Sequence, residues 1–168
     1  FSAGLLAAAR EQAGDSAEFR FMIADLTAPD WLADGWEGLF DVVLCFATLH
    51  HFPGEARRLT FLENVKHCLK PEGHFIHSNW QFLNSPKLRA RVQDWARVGL
   101  SAADVDGGDY LLDWRAGGEG LRFVHHFSDE ELHDLAAQLG FAVVETFASD
   151  GETGDLGLYQ VWRKDDKH

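Results

Sequence analysis

Two pairs of adjacent histidines, His50–His51 and His125–His126, are the side chains of this sequence best suited to move a proton or ligate a metal. The pairs lack the ligand spacing of the usual zinc sites, so no metal centre is expected. Between and around them lie four arginines, Arg89, Arg91, Arg115 and Arg122, with Trp80, Tyr110 and Trp114. Guanidinium groups fix carboxylates, and flat rings stack on flat substrates. His51 or Asp113 could take the proton of an amine or hydroxyl nucleophile. His50 and His51 follow an apolar strand. Adjacent residues at a strand's end point to opposite sides, so one of the two, His51, is expected to enter a cleft. The alternative role for either is to bond the backbone and shape the turn.

Composition bounds what such a site can serve. The 168 residues suit one domain, read as residues 1–168, and 46% hydrophobic residues with six tryptophans can build a core. A formal net charge of −12 argues against a broad basic surface for nucleic acid. No run approaches the roughly 18 apolar residues of a membrane span. Cys45 and Cys68 read as reduced packing residues, which suits a cytoplasmic protein. The first residue is Phe, so the chain is expected to lack its native start.

The elements that position these residues alternate. A helix over 2–13 starts at Ser2 and stops at Gly14. Residues 19–26 form a short apolar strand with Asp25 at its carboxyl end. FDVVLCFATL, residues 40–49, reads as a strand buried on both faces. A helix over 54–69 carries Leu59, Leu62, Val65 and Cys68 at helical spacing, and Gly73 opens a second buried strand. Residues 81–127 break the rhythm and read as an insertion covering a cleft, with a helix from Pro86 capped by Ser85. Ser128 and Glu131 form a capping box for the next helix. Two strands joined by GETGD close the chain, so the last one runs antiparallel. The fold class is therefore α/β, a mostly parallel sheet with an antiparallel last strand and an inserted lid.

FDVVLCFATLHHF, a helix, and LKPEGHFIHS resemble the fourth strand, its helix and the fifth strand of class I S-adenosylmethionine-dependent methyltransferases. The resemblance implies a partial Rossmann-like sheet taken from the order 3-2-1-4-5-7-6, and S-adenosyl-L-methionine as cofactor. It places Phe1 just after the second strand. The glycine-rich cofactor loop and the acidic ribose ligand would then precede the chain, which is expected to be truncated. It implies that Asp25 and Leu26 meet the adenine, that Cys45, Phe46 and Ala47 line the methionine side, and that His51 faces the methyl group. Methyl transfer is an in-line displacement that needs a positioned nucleophile. His51, Arg89 and Arg115 form the expected catalytic set.

ATLHHFPGEARRLTFLENVKHCLKPEGHFI, with Trp80 and RFVHHFSDEEL, is similar to the enzymes that esterify carboxymethyl-uridine at the tRNA wobble position. That implies a tRNA partner. The alternatives are a small-molecule O- or N-methyltransferase, or a non-catalytic partner subunit with a degenerate form of the fold. Without its usual neighbours, strand 19–26 is expected to rearrange or to pair with a second copy of the chain in a homodimer.

Overall fold

The computed structural model describes residues 3–14, 18–32, 34–114, 118 and 120–165. It divides into two compact units, Phe1–Trp31 and Leu32–His168. In the first, the alanine- and leucine-rich segment Ala3–Ala13 forms helix α1. It ends at Gly14, whose φ of 61° is the left-handed turn that glycine adopts freely. Ser2, expected to cap it, lies outside the described residues. The strand expected over 19–26 is not formed. Residues 19–25 carry no regular structure, and Phe19, Met22 and Ile23 stay 59%, 48% and 63% exposed. A strand needs a neighbour for its N–H and C=O groups, and the segment pairs with none.

The second unit is built on a four-stranded sheet of β1 (Phe40–Phe46), β2 (Leu69–Trp80), β6 (Phe141–Ser149) and β7 (Gly157–Lys164). Their order is β1-β2-β7-β6. β1 runs parallel to β2, from Val42 opposite His74 to Phe46 opposite Ser78. β7 lies antiparallel between β2 and β6. This reproduces the 4-5-7-6 half of the expected order. The Lys70–Gly73 turn lies inside β2 as an irregularity opposite Phe40–Val42. Gly73 is required there, since a Cβ would sit 2.8 Å from the Lys70 carbonyl oxygen.

One face of this sheet is the core. Helix α2 (Glu55–Cys68) buries Phe61, Leu62, Val65 and Cys68, and helix α4 (Asp129–Gln138) buries Leu132, Leu135 and Ala136. Trp162 is fully buried, with the rings of Phe75, His77 and Phe141 at 5.7, 4.6 and 5.5 Å. The other face corrects the expectation that β1 is buried on both sides. Val42, Leu44 and Phe46 alternate outward and are 46–60% exposed. β1 is the edge of its sheet. Among the described residues, no helix is long and apolar enough to cross a membrane.

The inserted segment folds as its own small sheet, β3 (Val92–Gln93), β4 (Asp109–Trp114) and β5 (Gly120–His125), in the order β3-β4-β5. Its core is Phe82, Leu112 and Val124. The helix expected from Pro86 lasts one turn, α3 (Pro86–Arg89), with Ser85 capping Leu88 as foreseen. It stops because Val92 and Gln93 pair with Leu112 and Leu111. Cross-strand packing of apolar side chains overrides the helical composition.

A buried charge network fastens this sheet to the helices. Arg58 on α2 is 2% exposed. It donates to the Phe52 carbonyl at 3.1 Å and to Asp106 at 2.9 Å, and its Nη1 lies 3.7 Å from Asp109. Asp109 meets His125 Nδ1 at 2.6 Å, and His125 Nε2 meets Glu131 of α4 at 2.8 Å. The capping box is thus half realised. Ser128 accepts from the Glu131 N–H at 3.0 Å, while the Glu131 carboxylate is drawn to His125.

Removing one member of such a network strands a buried charge. Arg58→Ala is expected to cost about 3–5 kcal/mol, read from the urea midpoint. A loss below about 1 kcal/mol would mean that water already solvates the network.

His77 generates a pH prediction. It is fully buried and stacked on Phe75, and burial pushes its pKa down to about 3. The folded ring stays neutral while the unfolded ring takes a proton near 6.5. Stability is therefore complete above about 6.5 and is lost as the pH falls towards 3. His77→Gln is expected to flatten urea-measured stability between pH 6.5 and 4.5 by up to about 1.4 kcal/mol per pH unit.

Candidate functional site

Parallel neighbours end side by side, and the crevice beyond their carboxyl ends is where open α/β sheets hold ligands. A cavity of about 430 Å³ lies there, lined by Ala47, His50, His51, Ser78, Asn79, Trp80, Trp114, Arg122, Asp150, Leu156 and Gly157. Four segments contribute: the turn after β1, the end of β2, the lid strands β4 and β5, and the β6–β7 connection. A larger hollow of about 570 Å³ includes Gly38 and Leu69, at the amino ends of the same strands, where this rule places no ligand.

The turn after β1 is tightly held. Ala47 has a φ of 50°, a left-handed conformation for a residue with a Cβ. Its N–H donates to both the carbonyl and the Oγ of Ser78 at 3.1 Å. Leu49–His51 then makes a single 3-10 turn. The strand has already ended, so the expectation that the two histidines diverge is corrected. Both line the cavity, with ring centroids 4.3 Å apart.

Their bonds nevertheless separate them. His50 is 2% exposed, and its Nδ1 accepts the Trp80 N–H at 3.2 Å, which makes it the turn-shaping residue. Burial pushes its pKa down to about 3, with His51 and Arg122 adding to the effect. His51 is half-buried and lies 3.1 Å, through Nδ1, from the Phe123 carbonyl on β5. A carbonyl only accepts, so the proton is on Nδ1 and the Nε2 of the neutral ring keeps a lone pair. Burial, reinforced by Arg122, lowers the His51 pKa against the upward pull of that bond.

The lid supplies a flat wall and a cation. The Arg122 guanidinium lies over the Trp114 ring, 3.7 Å from its centroid. On β4 and β5, Trp114 pairs with Gly120 and Leu112 with Arg122, so the two side chains are diagonal neighbours on one face. On the far wall, Asp150 accepts from the Tyr159 hydroxyl at 2.6 Å, which raises the Tyr159 pKa.

The other expected residues fall in different places. Cys45 is buried in β1, and burial raises its thiol to about 11. Phe46 is half exposed, with its ring 6.1 Å from Tyr159. Arg89 is exposed on α3 and does not line the cavity. Arg91 is held by Asp113 at 2.8 Å, which uses Asp113 as well. Arg115 lies outside the described residues. Asp25 and Leu26 belong to the first unit, where Asp25 accepts from the N–H and hydroxyl of Thr27 at 3.0 and 2.7 Å. Those bonds lower its pKa. Sequence reasoning missed Ser78, Asn79, Asp150, Leu156 and Gly157. The GETGD hairpin was the one signal that could have placed the last three.

Comparison with known proteins matches residues 8–146 to a family model described as a methyltransferase domain. The protein ECU09_1500 of Encephalitozoon cuniculi (strain GB-M1), whose name places it among the methyltransferases, is 27% identical over 125 residues. That alignment covers 74% of this chain and 53% of the relative, so the chain spans about half of that protein's length. An S-adenosylmethionine-dependent methyltransferase structure from Methanosarcina mazei is similar at a TM-score of 0.65 and 20% identity, over 87% of this chain and 67% of that one. The Burkholderia thailandensis 1,6-didemethyltoxoflavin-N1-methyltransferase, solved with its named substrate and S-adenosylhomocysteine, gives 0.64 and 22% over 99% and 59%. Identities this low establish a shared fold.

The His50 bond yields a test. His50→Leu leaves the Trp80 N–H without its acceptor and is expected to cost about 1–3 kcal/mol. His50→Asn, whose oxygen replaces Nδ1, recovers most of that in thermal unfolding.

Proposed function

The chain belongs to the methyltransferase domain family, and on that premise we propose that its protein transfers a methyl group from S-adenosyl-L-methionine to a small molecule. The observation that carries this reading is the cavity at the carboxyl ends of the parallel strands β1 and β2, walled by lid residues. When bound, the cofactor supplies a methyl group already activated on sulfur, which leaves the chain to position and desolvate the acceptor. The end of β1 suits a sulfonium. The Cys45 thiol stays protonated and the His50 and His51 rings are held neutral, so the turn adds no positive charge.

In this reading Asp25 and Leu26 meet the adenine, while Cys45, Phe46 and Ala47 border the methionine side. Nε2 of His51 takes the proton released by an amine or hydroxyl acceptor. Arg89 and Arg115 would steer an anionic acceptor from the lid. The two free, buried cysteines suit action in the cytoplasm. Self-association would use segment 19–26, whose Phe19, Met22 and Ile23 are exposed.

Esterification of a carboxylate, with wobble carboxymethyl-uridine in tRNA as the instance, is the second reading. Arg122 at the cavity favours it, and the net charge of −12 weighs against a tRNA partner. Transfer of radiolabelled methyl groups by the natural full-length protein separates the readings. Labelled small acceptors are expected with tRNA unlabelled, and label in carboxymethyl-uridine tRNA would reverse the order. A folded full-length protein that fails to bind S-adenosylhomocysteine in calorimetry would leave only a non-catalytic role. Asp25→Ala is expected to weaken that binding about tenfold, the loss of about 1.4 kcal/mol.

A further inference from the structure

We infer that Arg122 is the anion-binding residue of the acceptor cavity, and that the acceptor it selects is a carboxylate borne on a planar ring. The inference rests on the cavity being the acceptor site, and it goes further by naming the substrate class. Three independent observations support it.

The first is the way the guanidinium is held. Its face lies on Trp114. Stacking uses the flat π surface and leaves the N–H groups, which radiate in the plane, to be claimed by something else. Among the described residues nothing claims them, since the stack on Trp114 is the contact that Arg122 makes. A guanidinium oriented by an indole and left with an open edge is prepared for a bidentate oxyanion.

The second is the contrast with most other described arginines of the unit, the exposed Arg89 of α3 being the exception. Arg58 is paired with Asp106 and Asp109, Arg91 with Asp113, and Arg163 with Glu72. Arg57 and Arg97 donate to the Pro53 carbonyl and to the Gln93 side chain. The sequence has 27 acidic residues against 15 basic ones, so carboxylates are plentiful. The arginine at the cavity is half-buried and has none among the described residues. A desolvated cation without a counter-ion is costly unless a ligand supplies one.

The third is the rest of the lining. Among the described residues Arg122 is the one Lys or Arg side chain there, and the neutral histidines do not compete with it for an anion. Asp150, the acidic lining residue among those described, is engaged by Tyr159. Trp80 adds a second indole to the lining, beside the Trp114 ring whose face Arg122 covers. Charge at one point with aromatic rings around it describes a planar ring bearing one carboxylate. A volume of about 430 Å³ falls within the usual range for small-ligand sites.

The test is calorimetric and needs no cofactor. The 168-residue chain would be titrated with 2-naphthoate and with 2-naphthamide, which share shape and differ in charge. The acid is expected to bind at least tenfold more tightly. Arg122→Met keeps an unbranched stem on Trp114 and is expected to abolish the preference with an unchanged melting temperature. Arg122→Lys, which keeps the charge without the planar fork, is expected to retain a reduced preference. Titration with 5-carboxymethyluridine and its amide tells whether the carboxylate comes on a free aromatic acid or on a modified pyrimidine. Equal binding of acid and amide, no binding of either pair to the folded chain, or a preference that survives in Arg122→Met would each overturn the inference. Because S-adenosylhomocysteine plays no part, these failures are distinct from failure of the methyl-transfer reading.

Discussion

The parallel pairing of β1 with β2 is the constraint on which the second unit depends. Two parallel strands deliver their carboxyl ends to one side of the sheet, and the turns that follow must open there. His50 in the turn after β1 and Ser78 on β2 lock this arrangement, His50 by accepting from the Trp80 N–H and Ser78 by accepting from the Ala47 N–H. The left-handed Ala47 is the visible cost of that turn. Without this pairing the lining of the cavity would be scattered over unrelated parts of the unit.

The lid is fixed by a different kind of force. Its small apolar core holds β3, β4 and β5 together. Charge then anchors it, through the chain of contacts from Arg58 to Asp106 and Asp109, and on through His125 to Glu131. Apolar contact tolerates sliding, whereas short bonds between buried charges define position to within a few tenths of an ångström. The Phe123 carbonyl that orients His51 belongs to the same lid. The geometry of the anchor is therefore transmitted to the imidazole beside the cavity.

Much of this could be read from the residues in order. The nearly continuous apolar run at 40–46, the helical spacing of Leu62, Val65 and Cys68, and a closing pair of strands without a helix between them define the elements by short-range rules, while their order in the sheet followed from the resemblance to the methyltransferases. What escaped was decided by partners distant in sequence. Val92 and Gln93 leave a helical pattern because β4 offers them a ladder. Residues 19–25 stay irregular because nothing offers one. Arg91 and Arg122 differ in what lies close to them: Asp113 takes Arg91, while Arg122 meets an indole. The two histidines were separated by turn geometry, since a strand ending at Phe46 frees the next residues from the alternation that the prediction assumed.

The inserted sheet has a core of its own, Phe82, Leu112 and Val124, separate from the aromatic cluster around Trp162. Residues facing the cavity from β4 and β5 can therefore change identity without touching the Trp162 cluster, although Trp80 of β2 also packs against the lid core. In evolutionary terms the scaffold and the selectivity are separable traits. Drift or selection at Trp114 and Arg122 can reshape this wall of the cavity while the Trp162 cluster stays as it is.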